Sequence, residues 1–287
     1  CKKRGDKCPP WTVSAEEIHH DKNKKTINYK NAWLKIYDKP ILYFPKFFHP
    51  DPTVKRQSGF LMPTLSSSNN LGNYLSVPYF YVVSNNKDLT FTPRFYDKQK
   101  TLYQAEYRQA NKSSEHVMDF GILNKSRLIE TGKTLGTHFF VKSNFDTDIN
   151  FFENSKIGLN IQQVSEDDYL KTNKPKSPLI NNETVLNSKI EFEGNTKDLD
   201  LNIYTEVWED LSKETSDRYE YIFPSYSLTK YIESSLEGEL SFTSSGNSKL
   251  YDTNVYEKTM VNDLNYQSFK NVVANGFVTN YEFLLKN

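Results

Sequence analysis

The sequence has no surplus of either charge: Lys plus Arg number 36 and Asp plus Glu number 36. That excludes the basic footprint of a nucleic-acid binder and an acidic disordered tail. It also lacks long apolar runs. Nothing approaches the roughly 18 consecutive apolar residues of a membrane helix, and Tyr79–Val83 is typical of its longest runs. A spanning helix is thereby excluded, but a membrane β-barrel is not, because its lipid face takes only every second residue. Hydrophobic residues make up only 37% and mean hydropathy is −0.70, values that suit a polar surface more than a large dry core.

Cysteine is scarce. Cys1 and Cys8 do not have the spacing of a redox or zinc pair, and no second Cys/His pair completes a metal site. They fit better as halves of disulfides in an oxidising compartment. His19 and His20 are adjacent, so in a strand their rings diverge. No GxSxG, P-loop, HExxH or EF-hand pattern occurs. Nothing places Glu206 and Glu209 on one cleft as a glycosidase pair, and the tripeptide Arg4-Gly5-Asp6 carries no weight. Neither a catalytic residue nor a metal or cofactor is expected. The chain starts at Cys1 without Met and stops just after Phe283-Leu284-Leu285. The expectation is a piece of a longer protein whose targeting signals lie outside it.

Aromatics, in contrast, are plentiful: 19 Tyr and 19 Phe contribute to an aromatic share of 14%. Such residues favour half-buried pleated surfaces. The dominant pattern has period two. Leu199, Leu201, Ile203, Thr205 and Val207 alternate with Asp200, Asn202, Tyr204, Glu206 and Trp208. Leu89, Phe91, Pro93 and Phe95 oppose Asp88, Thr90, Thr92 and Arg94. Phe139, Val141 and Phe145 oppose His138, Lys142 and Asn144, and shorter runs recur at Ile190/Phe192 and Leu240/Phe242. This is the strand template.

Polar clusters at Ser66–Asn70, Ser84–Asp88, Asp97–Lys100, Asn111–Ser114 and Gly246–Ser248 read as turns. About ten strands after residue 58, joined by short turns, predict an antiparallel meander. Glu166–Asn182 reads as a long loop, and Tyr231–Leu236 as a helical turn. Before residue 58, Trp11–Ala15, Thr26–Tyr29 and Ala32–Tyr37 look like shorter strands, and Pro40 and Pro45 bracket Ile41–Phe44. Pro50 and Pro52 remove ladder donors and mark a boundary, with a junction expected at residues 46–58. The expected domains are therefore 1–57 and 58–287. Alternation alone leaves two architectures open. The apolar face is either the dry core of a soluble sandwich or the lipid face of a barrel.

One stretch narrows the choice. Residues 11–63, and above all FFHPDPTVKRQSGFLMP (Phe47–Pro63), resemble the LptD family of lipopolysaccharide-assembly proteins of the Gram-negative outer membrane. The likeness rests on His49, Pro50, Asp51, Pro52, Lys55, Arg56, Gln57, Ser58, Gly59, Phe60 and Leu61, and the His-Pro-Asp-Pro lead-in looks alphaproteobacterial. VPYFYVV (Val77–Val83), LTFTPRF (Leu89–Phe95) and YQAEYR (Tyr103–Arg108) follow in the family's order. VSEDDYL (Val164–Leu170) resembles a degenerate family motif. The likeness is strong to about residue 110 and diffuse beyond it.

The resemblance implies an all-β chain. Its residues 1–57 would end a periplasmic β-jellyroll, and 58–287 would be the first, incomplete part of a large antiparallel transmembrane barrel. It implies transport without covalent chemistry. The jellyroll would receive acyl chains in a greasy groove, with Val13, Ile36, Ile41, Tyr43 and Phe44 as candidate lining; the plainer reading of each is core packing. Pro63 and Pro78 would lie in the first two barrel strands at a lateral gate, where a missing N–H weakens pairing; the plainer reading is a shape-setting bulge. Lys55 and Arg56 could pair with phosphates at the junction, or lie in a solvated turn. Cys1 or Cys8 would join jellyroll to barrel through a long-range disulfide, with a local Cys1–Cys8 bridge as the alternative. The implied partners are lipopolysaccharide, outer-membrane lipid, an LptE-like lipoprotein plug and an LptA-like periplasmic bridge protein. A passive porin or receptor barrel and a soluble adhesin or carbohydrate-binding sandwich remain as other readings.

Overall fold

The computed structural model describes residues 11–287 except 55, 69–70, 125–134, 215, 253 and 274–275. The chain is almost entirely antiparallel β and divides into two units, residues 1–58 and 59–287.

The first unit is a four-stranded sheet of β1 (Trp11–Ser14), β2 (Glu17–Asp21), β3 (Thr26–Ile36) and β4 (Lys39–Pro50). Along one edge β3 pairs with β1 and then β2; along the other it pairs with β4. The sequence pattern had split β3 in two. Asn31 stands at the split with a left-handed φ of 49°, yet the pairing register runs on unchanged from Lys30 to Ala32. Asparagine tolerates that conformation better than most residues. β4 runs through Pro40 and Pro45, which is compatible with an edge strand having a free side.

The second unit begins with two interrupted strands. The first consists of β5 (Gly59–Phe60) and β6 (Thr64–Ser68); the second of β7 (Gly72–Ser76) and β8 (Tyr79–Ser84). Then come β9 (Lys87–Tyr96), β10 (Leu102–Ala110), β11 (Ser114–Asn124), β12 (Leu135–Thr147) and β13 (Asn154–Val164). A connection holding the short helix α1 (Tyr169–Asn173) leads to β14 (Val185–Asn195), β15 (Leu199–Asp210), β16 (Tyr219–Ile232), β17 (Gly238–Tyr251) and β18 (Val255–Ser268). The small hairpin of β19 (Asn271–Val273) and β20 (Phe277–Thr279) precedes β21 (Glu282–Lys286). From β9 to β18 each strand pairs with its sequence neighbour, and β21 pairs with β18.

Paired residues in an antiparallel ladder share a face. The apolar positions Phe91, Tyr103, Phe120, Phe139, Ile190 and Ile203 remain substantially exposed. The core lies against the opposite, polar-lined face: Leu102, Leu123 and Phe140 pack with Tyr169, Leu170 and Leu179 of the connection. Around β10 to β12 the polar side of the sheet is thus the covered one, and the apolar side the open one, whereas in β17 the polar-side Thr243, Ser245 and Asn247 are exposed.

Two further expectations fail. Gly246–Ser248 is mid-strand in β17, where Gly246 lies under the Tyr226 ring. Tyr231 and Ile232 finish β16 instead of starting a helical turn.

Candidate functional site

The two interrupted strands break opposite each other. Gly59 and Phe60 pair with Phe80 and Tyr79, and Thr64 pairs with Ser76. Between these points Leu61, Met62 and Pro63 oppose only Val77 and Pro78, a bulge with its extra residue on the first strand. Across it, Leu61 donates its N–H to the Pro78 carbonyl at 2.8 Å. In a regular hydrogen-bonded pair the partners exchange two such bonds, but Pro78 has no N–H to return. Beyond the break, Val77 still donates to the Pro93 carbonyl at 3.1 Å. β9 therefore supports the second strand from both sides of its interruption, through β8 at one end and β7 at the other. Pro63 and Pro78 thus stand together in one weakened seam.

The connection from residue 165 to 184 folds back onto the polar face beside that seam. Its start is fixed by Ser165, which donates its N–H to the Thr137 carbonyl while its hydroxyl accepts from the Thr137 N–H. Arg94, 2% exposed, donates through Nη1 to the carbonyls of Asn173 and Lys174, both at 3.0 Å. These are carbonyls at the C-terminal end of α1, where helices leave acceptors unpaired. Gln104 donates to both carboxylate oxygens of Asp119 at 3.0 Å and to the Lys176 carbonyl at 2.8 Å. Gln162 donates to the Leu179 carbonyl at 2.7 Å and accepts from the Asn187 N–H at 2.9 Å. It stands in for the β13–β14 ladder, whose register ends at Asn160.

Under α1, His138 and Asp119 form a fully buried pair, Nε2 to Oδ1 at 3.3 Å. His138 Nδ1 meets the Tyr169 hydroxyl at 3.0 Å. Burial is the main cause that raises the Tyr169 phenol above its ordinary range; the charges of Tyr96 and Asp119 add to it, and Arg94 opposes it. At the loop's other flank Arg218 reaches Asp167 and Glu209, each at 2.6 Å. Those carboxylates, Asp167 first, push the guanidinium further into its charged form. A cavity of about 200 Å³ separates the seam from the loop, lined by Leu61, Thr64, Pro78, Arg94, Gln104 and Lys176 among others.

In the first unit the signature residues build a turn. His49 Nδ1 lies 2.6 Å from the Pro50 carbonyl, which can only accept, so Nδ1 carries the proton and Nε2 accepts from Tyr29 Oη at 2.7 Å. Asp51 accepts from the Thr53 N–H at 2.8 Å and the Thr53 hydroxyl at 2.7 Å, and its other oxygen meets His20 at 2.5 Å. The Thr53 N–H first, then its hydroxyl and His20, hold this carboxyl below its usual range. Gly59 and Phe60 open the second unit, with Phe60 edge-on to Tyr79 at 5.0 Å. Val13, Ile36, Ile41 and Tyr43 are exposed and Phe44 is half-buried against Phe47 at 5.5 Å. Arg56 is exposed. Cys1, Cys8 and Lys55 lie outside the described residues.

No family model matches the chain. The curated proteins do. Over 162 residues it is 31% identical to LPS-assembly protein LptD of Pseudoalteromonas translucida, covering 56% of this chain and 21% of that protein. Over that span the chain is similar to LptD. LptD of Legionella pneumophila strain Paris is 30% identical over 172 residues, covering 56% of this chain and 20% of the relative. LptD of Pseudomonas aeruginosa UCBPP-PA14 is 31% identical over 122 residues, 41% of this chain and 13% of that one. The chain therefore spans about a fifth of the length of the first two relatives. A solved chain described as a bacterial polysaccharide outer membrane secretin aligns with a TM-score of 0.25 and 11% identity, covering 84% of this chain and 77% of that one. A score that low carries no argument. The resemblance read from Phe47–Pro63 is borne out by the LptD relatives.

Pro63 and Pro78, singled out by the resemblance as gate residues or as bulges, lie at the breaks of the first two strands. The loop's anchors were not singled out. Arg94 and Gln104 grip residues 79 and 72 positions away, and nothing local marks them.

Proposed function

We propose that this chain is part of the outer-membrane machinery that inserts lipopolysaccharide into the outer leaflet, and that it transports rather than catalyses. In this reading, residues 58–287 contribute the first strands of the membrane barrel and residues 1–57 the end of a periplasmic jellyroll. One observation carries the barrel over a soluble sandwich or adhesin: where the connection docks, the sheet leaves its apolar face open and covers its polar face. A soluble protein would bury the apolar face, because large open apolar patches are costly in water; lipid reverses that preference. A passive porin is disfavoured by the first unit and by the LptD relatives.

In this reading the seam at Pro63 and Pro78 is the place where the wall yields to let lipid leave sideways, since the missing donor weakens pairing there. Val13, Ile36, Ile41, Tyr43 and Phe44 offer exposed apolar surface for acyl chains. An LptA-like bridge protein would deliver the lipid, and an LptE-like lipoprotein would occupy the lumen. Cys1 or Cys8 would tie the two parts covalently, and Lys55 and Arg56 would meet phosphates at the junction. Depletion of the full-length protein in its own cell tests the reading. Newly made lipopolysaccharide should stop reaching the cell surface and accumulate at the inner membrane. Normal surface delivery after depletion would refute it.

A further inference from the structure

The cavity between the seam and the folded-back loop has a chemistry that strand pairing alone does not require. Arg94 stands on β9 directly opposite Ser76, the last residue before the break in the second strand. Its guanidinium is permanently charged and almost fully buried. Among the described residues no carboxylate pairs with it. Its hydrogen bonds go to two neutral carbonyls, Asn173 and Lys174, and its carbon face lies over Tyr74 at 5.6 Å. Lys176 lines the same space, as do the hydroxyl-bearing Thr64, Ser76, Thr90 and Thr92. Glu106 is the acidic group on the lining, and it lies 3.5 Å from Arg108. A buried cation held by neutral acceptors is poised to exchange them for a charged one. Arginine–phosphate hydrogen bonds are roughly twice as strong as neutral ones and match the guanidinium fork.

We propose that this cavity is a phosphate subsite, and that the Asn173 and Lys174 carbonyls occupy Arg94 only until a phosphorylated head group arrives at the seam. The inference rests on the transport reading and names the group of the substrate that the seam recognises. Arrival of the phosphate takes Arg94 from the end of α1. The loop then loses the anchor nearest the seam but keeps Gln162 and Arg218 at its far side. Recognition of the head group and release of the loop are thus one exchange at one side chain.

Hydrogen–deuterium exchange on the full-length protein in detergent tests this. The probes are phosphorylated lipid A, the same lipid stripped of phosphate, and inorganic phosphate. Phosphorylated lipid A should raise exchange across residues 169–180 by roughly tenfold, the scale of one lost charge-assisted contact. The stripped lipid should bind without that change. In Arg94→Gln the segment should exchange quickly with no lipid and respond to none. If that variant fails to fold, Lys176→Ala should weaken binding of the phosphorylated lipid while leaving the stripped lipid unaffected. An equal response to both lipids overturns the subsite and leaves the transport reading standing. Failure to bind either lipid overturns both. Loop release by inorganic phosphate alone assigns the same site to free phosphate instead of a head group.

Discussion

Gly121 makes room for His138. A Cβ at Gly121 would overlap the imidazole ring and lie 2.9 Å from Tyr169 Oη. The missing side chain on β11 is what allows a residue of β12 to reach across and hold α1. Overpacking a tight site costs about 1–3 kcal/mol. Gly121→Ala should therefore lower the melting temperature by several degrees and expose residues 165–184 to protease. Gly158→Ala, whose nearest neighbour is 3.7 Å away, should do neither. Matching melting curves for the two variants would show that the His138–Tyr169 contact does not hold the loop.

Gln162 makes a different prediction. Gln162→Leu keeps the side chain's bulk but strands the Leu179 carbonyl and the Asn187 N–H. A buried polar group left without a partner costs about 1–3 kcal/mol. Limited proteolysis should then cut near Leu179 sooner than in the parent protein. Cleavage at the parental rate would mean that water or a neighbouring group replaces the amide.

The seam can be tested by giving it back its donors. Pro63→Ala with Pro78→Ala supplies two N–H groups, each bond contributing about 1 kcal/mol. Pairing of the first two strands should tighten, and, on the proposed transport role, delivery of lipopolysaccharide to the surface should slow. Unchanged delivery together with unchanged amide exchange at Leu61 would remove the prolines from the gating step.

Asp51 carries a pH dependence. Its folded pKa is depressed, chiefly by the Thr53 N–H. Its contribution is therefore present above the unfolded carboxylate value near 3.9. It is lost as pH falls through the lower folded value. Melting temperature should decline less between about pH 4 and pH 2 in Asp51→Asn than in the parent. Identical acid profiles would count against this turn as a source of the dependence.

Much of this architecture could be read directly from the chain. The alternation at Leu199–Trp208 is β15 as observed, and the polar groups at Asp97–Lys100 and Asn111–Ser114 mark real turns. The misreadings have specific causes. Gly246-Asn247-Ser248 looks like a turn because its residues are small and polar, yet Gly246 is needed beneath the Tyr226 ring. Prolines at 40 and 45 look like strand ends, but among the described residues β4 has a side with no ladder to break. The long connection looked shapeless because its helix is only five residues long and its partners lie far off in sequence.

Those distant partners also set an order of assembly. The hairpins from β9 to β14 join sequence neighbours, and such local contacts form early. Arg94, Gln104, His138 and Gln162 come from four different strands. They present a coherent seat only when all the intervening registers are correct. A slip of one residue would turn its strand's anchor to the other face. Docking of the loop is therefore a checkpoint on strand registration, available to the chain as soon as β9 to β14 have paired.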